Sequence, residues 1–222
     1  LIDIKLFDHK SFSLGSVVRF LSFIANSPIY YLSPFLLING YGLSSSKTGL
    51  YILPGPLMMA ISGPFAGKLS DKIGSYYPRI SGALCLMISV SLFLFATILN
   101  KEFVMIAYAF QGLGMGIFGA ANTSYIFTSV KENNYGSVNA FLTLTRTSGN
   151  IIGISISTAL VLAFLSISNN ELNTAIVDKS NYISSISKAF ILPTFLSIIT
   201  FILTISLKDQ KRNVNFKYLY QS

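Results

Sequence analysis

The chain has no tryptophan, one cysteine, one histidine and only eight acidic residues in 222 positions, and just 11% of it is charged. Each scarcity closes off a class of chemistry. A single cysteine, Cys85, set inside an apolar run, excludes an intrachain disulfide framework or a cysteine metal site. The only histidine, His9, lies in the N-terminal arm, so a serine nucleophile within the apolar stretches would have no imidazole base in reach. Those stretches also hold no Asp or Glu, which removes the ligand set of a metal transporter. With 52% hydrophobic residues, a mean hydropathy of +0.61 and no long polar block, no separate water-soluble catalytic or nucleic-acid-binding domain fits. Residues Leu1 to Lys10 lack the apolar core and small-residue cleavage site of a signal peptide. The chain opens on Leu, not Met, and is expected to be a piece of a longer one.

What is present is a series of uncharged stretches: Phe20 to Ser46, Thr48 to Gly67, Ile80 to Asn100, Phe103 to Val130, Thr147 to Asn170 and Ala189 to Leu207. About 20 residues at 1.5 Å rise cross the roughly 30 Å hydrocarbon layer of a bilayer, so each predicts a transmembrane helix. The expected architecture is an all-α membrane protein, one bundle over residues 1–222, with spans at about 14–38, 48–68, 79–99, 103–128, 139–168 and 188–207. The lipid bilayer is its first partner.

The formal charge of +8 is explained by topology, with no nucleic-acid partner implied. One side of the membrane receives Lys5, Lys10, Lys68, Lys72, Arg79, Lys131, Lys208, Lys211, Arg212 and Lys217; the other receives only Lys47, Lys101, Lys179 and Lys188. Cytoplasmic flanks are the basic ones, so both termini of this segment are expected in the cytoplasm of a multi-pass cell-membrane protein. Arg19 and Arg146 are left over, entering helices 1 and 5 at similar depths.

The helices differ in kind. Helices 3 and 6 are almost uniformly apolar and read as peripheral. Helix 1 carries Arg19, Asn26, Pro28 and Pro34; helix 2 carries Pro54, Pro56, Gly63 and Pro64; helix 4 carries Gln111, several glycines and Asn122; helix 5 carries Arg146, Gly149, Asn150 and Gly153. Lipid cannot satisfy backbone groups freed at such prolines and glycines, so helices 1, 2, 4 and 5 are expected to line an interior. The pairs Gly63 and Gly67, Gly112 and Gly116, and Gly149 and Gly153 have the small-xxx-small spacing of close helix packing. The order of two lining helices and one peripheral helix occurs twice, as expected of two inverted three-helix repeats in a secondary transporter.

The segment between helices 2 and 3 reads Gly67-Lys68-Leu69-Ser70-Asp71-Lys72-Ile73-Gly74, with Arg79 at the next helix. Gly-x-Leu-x-Asp-basic-x-Gly between adjacent spans resembles the signature loop of the major facilitator superfamily. The chain also resembles the C-terminal half of that superfamily's fourteen-helix drug:proton antiporters. Leu1 to Phe7 is similar to the segment before their ninth span, Gly49 to Pro56 to the start of the tenth, Gly112 to Gly116 to the twelfth, and Arg146-x-x-Gly149-x-x-x-Gly153 to the thirteenth. It departs from the fullest signature in having Ser75-Tyr76-Tyr77-Pro78 before Arg79 in place of further basic residues. The resemblance implies alternating access, a proton gradient as energy source with no cofactor, and an N-terminal half, absent here, that holds the proton-carrying acids. It implies efflux of drugs or other lipophilic or cationic small molecules. A nutrient or metabolite uniporter or symporter of the same superfamily, or a truncated six-helix protein inactive without a partner half, stands as the alternative.

Gly67, Asp71, Lys72, Gly74 and Arg146 are therefore the candidate transport and gating residues, with Asp71 and Lys72 expected to latch onto the start of helix 5 at Arg146. Beside that reading stands a plainer one, in which Asp71 is a solvated acid and Lys72 a topology marker. An arginine within a span faces an interior or a water path by default, although one about two turns deep can also snorkel. Arg19, Asn26, Gln111, Asn122 and Asn150 are candidate cavity residues, and Met58, Met59, Phe35, Phe65, Phe110 and Phe118 could form an apolar pocket.

Overall fold

A computed structural model describes residues 7–96, 100–128, 130–170 and 179–207. The described residues form α1 (Lys10–Phe35), α2 (Ser45–Ile52), α3 (Pro54–Ile73), α4 (Tyr76–Ala96), α5 (Glu102–Phe127), α6 (Tyr135–Asn170), α7 (Lys179–Ala189) and α8 (Ile191–Ser206). A π-helical turn, Leu36–Gly40, extends α1, and a short 3-10 turn, Glu132–Asn134, precedes α6. Six continuous helical stretches are long and apolar enough to cross a membrane: Ser11–Gly40, Ser45–Ile73, Tyr76–Phe95, Glu102–Phe127, Glu132–Ile167 and Lys179–Ser206. Each overlaps one expected span. The second and sixth join α2 to α3 and α7 to α8.

The helices are built inside out relative to those of a soluble bundle. On α6 the buried positions Thr145, Gly149, Gly153, Ser157 and Val161 repeat every fourth residue, while Leu144, Ile151, Ile156, Leu162 and Ile167 face outward. On α3 the buried residues are Gly55, Ser62, Ala66 and Ser70, whereas Leu57, Ile61, Phe65 and Ile73 are exposed. α8 buries Pro193, Ser197, Thr200 and Thr204 and exposes Ile191, Phe195 and Ile202. Where lipid tails are as apolar as leucine, burying leucine gains nothing, and helices associate through small residues that let backbones approach.

Two junctions show how close. α3 packs along α5, where a Cβ on Gly112 would collide with the Gly55 carbonyl and one on Gly116 with Ser62 Oγ. α6 packs along α1, where a Cβ on Gly153 would collide with the Ile24 carbonyl. Pro28 has no N–H for that carbonyl, so the α6 backbone lies against the acceptor that the proline frees. Nearby, Ser27 Oγ donates to the Asn150 carbonyl at 3.2 Å.

The remaining packing follows the same plan: α4 lies on α5, α8 on α1, α4 on α8, and α1 meets α5 across the middle. Exchanging spans 1, 2 and 3 for 4, 5 and 6 maps this set of neighbours onto itself, the pattern expected of two three-helix repeats. Two apolar clusters fill the interior. One gathers Ile29, Leu36, Phe93, Tyr108 and Phe190, with Phe93 and Phe190 stacked at 5.1 Å; the other gathers Phe12, Leu86, Phe118, Tyr125 and Ile126.

The expected division into lining and peripheral helices needs correction. The most apolar window of α1 is 67% buried, those of α4 and α5 44% and that of α7 with α8 33%, but only 17% of the α3 and α6 windows is covered. α3 and α6 stand at the two flanks of the bundle, where each meets neighbours along one narrow stripe. The most open helices are thus α3 and α6, and the uniformly apolar α4 and α8, expected to be peripheral, are better covered.

Candidate functional site

α1, α3, α5 and α6, the helices of spans 1, 2, 4 and 5, surround a cavity of about 370 Å3. α1 presents Phe23, Asn26, Ser27 and Tyr30, an i, i+3, i+4, i+7 stripe on one helix face. α6 presents Arg146, Asn150 and Ile154, each one turn apart, and α3 and α5 close the wall with Pro56, Met59 and Met115. Larger grooves of about 530 Å3 between α1 and α6, and 670 Å3 beside α4 and α7, carry hydroxyls and, in the second, Lys188. The four-helix cavity is the one where the predicted polar residues converge.

Arg146 is exposed into this cavity, and its guanidinium carbon stands 5.8 Å from the centroid of the Phe23 ring. Arg19, one turn before Phe23 on α1, places its own guanidinium 5.2 Å from the same ring and donates from Nη1 to Thr123 Oγ1 at 3.1 Å. Two arginines distant in sequence thus share one aromatic partner, each in the range of a cation–π contact. Both guanidiniums carry positive charge, so gathered at one ring they repel one another. Asn26 is buried, its Nδ2 donating to the Ser22 carbonyl of its own helix at 2.9 Å. Gln111 is fully buried on α5, in electrostatic contact with Tyr30.

Other expected site residues lie elsewhere. Asn122 is buried between α5 and α1, its Nδ2 donating to the Gly15 carbonyl at 3.0 Å, so it joins helices and does not line the cavity. Gly112 and Gly116 meet α3, and Gly149 and Gly153 meet α1, while Gly63 and Gly67 have no atom within 4 Å of an added Cβ. Met59 reaches the cavity, Phe118 is core, and Phe65 is 77% exposed on the outer face of α3.

The expected loop from Gly67 to Gly74 is mostly helix. α3 continues to Ile73, and the chain turns only at Gly74, whose φ of +88° is open to glycine and costly for other residues. Nothing between Gly67 and Ile73 breaks a helix, and Lys72 in the last turn favours its C-terminal dipole. Asp71 and Lys72 are exposed there, and no ion pair joins Asp71 to Arg146, which lies within the cavity wall beside Arg19.

One polar residue carries more structure than its position in the sequence indicates. Arg79, in the first turns of α4, is fully buried; its guanidinium lies 3.7 Å over the Tyr125 ring of α5 and donates to the Leu207 carbonyl at the end of α8. It ties three helix ends together and caps one of them. The available signal was its place just inside an otherwise uniformly apolar helix. At the opposite end of the bundle, Tyr51 of α2 donates to Glu102 of α5 at 3.0 Å.

Six membrane-length helices in two pseudo-equivalent sets around a mainly apolar cavity with a few polar side chains are the architecture of a transporter half, and the comparisons with known proteins agree. Residues 4–154 match the Major Facilitator Superfamily, and the chain belongs to that superfamily of transporters, which makes it a multi-pass membrane protein and not an enzyme. It is 26% identical over 166 residues to multidrug resistance protein Stp of Mycobacterium tuberculosis, covering 75% of this chain and 31% of that protein. It is 28% identical over 148 residues to riboflavin transporter RibZ of Clostridioides difficile, 65% of this chain and 32% of that one. Over 90 residues it is 32% identical to lincomycin resistance protein LmrB of Listeria innocua, 40% of this chain and 19% of that protein. The matches span about a third or less of these relatives.

Proposed function

We propose that the chain is the C-terminal six-helix half of a secondary transporter that exports lipophilic small molecules, driven by a proton gradient, by alternating access. The carrying observation is a cavity walled by four helices, two of which, α3 and α6, leave broad apolar faces uncovered. A second, N-terminal half against those faces would close the cavity into a midplane site, and rocking of one half against the other would expose it to each side in turn. Met59, Met115, Phe23 and Ile154 supply the adaptable apolar wall that a drug requires. Two of the relatives described above are named for drug resistance, which favours export of drugs. The Gly67, Asp71, Lys72 and Gly74 segment, exposed at the end of α3, would act as the gating element against the other half. The molecule would sit in the cell membrane with both ends of this segment on the basic, cytoplasmic face.

The relative named as a riboflavin transporter favours a second reading, movement of a metabolite through the same cavity. Two measurements test the proposal. An antibody against Asn213 to Ser222 should detect a native product about twice 24.3 kDa in membranes; a band at 24.3 kDa would remove the half-transporter reading. In inside-out vesicles carrying the full natural chain, an imposed proton gradient should drive uptake of lipophilic drugs and collapse on adding a protonophore. Uptake indifferent to the gradient would remove proton coupling, and gradient-driven uptake confined to riboflavin-like metabolites would favour the second reading.

A further inference from the structure

The cavity wall has a sign. Arg146, which lines the cavity, stands 5.8 Å from the Phe23 ring, and Arg19, just outside that lining, stands 5.2 Å from the same ring, so two guanidiniums gather at one aromatic side chain of the wall. The acids among the described residues, Asp8, Asp71, Glu102 and Glu132, are all exposed, and none lines the cavity. Like charges gathered at a wall of low polarity repel, and among the described residues no carboxylate lies in the cavity lining to relieve them. Thr123, the one recorded hydrogen-bond partner of the Arg19 guanidinium, is neutral and removes no charge.

From this juxtaposition we infer that the cavity takes an amphipathic organic anion, its carboxylate or sulfonate held by Arg146 and drawn further by the charge of Arg19 at the same ring, and its aromatic or apolar body against Phe23, Met59 and Met115. The inference rests on the transport reading above and names its substrate class, replacing the lipophilic cation expected from resemblance. A cation would meet the Arg146 guanidinium, with that of Arg19 at the same ring, and no acid among the described residues of the lining. An anion gains charge-assisted hydrogen bonds from planar forks suited to a carboxylate and cancels their mutual repulsion. Tyr30 and Asn150 add neutral donors on either side of the site.

The test compares two dyes that share a xanthene body, anionic fluorescein and cationic tetramethylrhodamine methyl ester, binding to the purified full natural chain and followed by fluorescence anisotropy. Fluorescein should bind more tightly and lose affinity as salt is raised. Arg146→Gln should weaken its binding roughly 10- to 100-fold, Arg19→Gln should weaken it less, and Arg146→Lys should retain most of it. Unchanged melting temperatures of the variants would show that the loss is one of recognition. Tighter binding of the cationic dye, no binding of fluorescein, or fluorescein affinity indifferent to both arginines would overturn the inference; the last is the result expected if an acid from elsewhere in the full protein neutralises the pair. Failure of the transport reading looks different: fluorescein would bind through Arg146 while no gradient moved it across vesicles.

Discussion

Arg79 and Arg146 are both arginines within membrane-length helices, and their surroundings differ in every respect that decides a role. Arg79 has no exposed surface, stacks on Tyr125 at 3.7 Å and donates to a helix-terminal carbonyl, so it is taken up by the packing of the fold. Arg146 is exposed, stands 5.8 Å from the Phe23 ring and shares that ring with another arginine. One guanidinium closes a seam between α4, α5 and α8; the other is left open on a cavity wall between α1 and α6. An intramembrane charge is therefore no single signal: what it faces decides whether it builds the bundle or serves a ligand.

The sharpest way to break this comparison is to remove each arginine in turn and measure thermal stability in lipid nanodiscs. Arg79→Ala should cost about 3 kcal/mol, from the lost cation–π contact and the cavity left between three helices, and should lower the melting temperature or prevent recovery of folded protein. A variant that melts like the parent would mean that the Arg79 seam is dispensable. Next in size, Gly112→Ala should cost about 2 kcal/mol, because the new Cβ meets the Gly55 backbone, which cannot turn aside as a side chain can. Gly67→Ala, with open space around it, should leave stability unchanged or raise it by up to ~1 kcal/mol through helix propensity. Equal losses at the two glycines would refute the close packing assigned to Gly112 and the open space assigned to Gly67. Arg146→Gln should alter stability by less than about 0.5 kcal/mol, and added salt should raise the melting temperature of the parent slightly more than that of the variant by screening the repulsion with Arg19. Asp71→Asn should leave melting unaltered while slowing transport by the full natural chain; an unchanged transport rate would reduce Asp71 to a solvated acid.

Much of the bundle was legible because the bilayer imposes a strong rule: uncharged stretches long enough to span it are helices, and all six spans could be placed from charge gaps alone. The cavity helices were legible for a related reason, since prolines, glycines and amides within spans must be satisfied by protein or water. Within the site, Arg146, Asn26 and Asn150 fell where polarity placed them, on one wall. Asn122 did not, because an amide on a helix serves a neighbouring carbonyl as readily as a cavity, and only the approach of Gly15 decides between them. The Gly67 to Gly74 segment was read as loop from its glycines, yet a helix tolerates Gly67 and ends only where Gly74 adopts a left-handed φ.

By itself the sequence determined the number of spans and the division into polar and uniformly apolar helices, because these follow from each residue's cost of transfer into lipid, which depends on local composition. Only the tertiary structure decided which glycines touch a neighbour, that Arg79 is buried while Arg146 is open, and that Arg19 and Arg146 share Phe23. Those facts depend on the rotation of each helix about its axis, which is set by packing against residues far away in the chain.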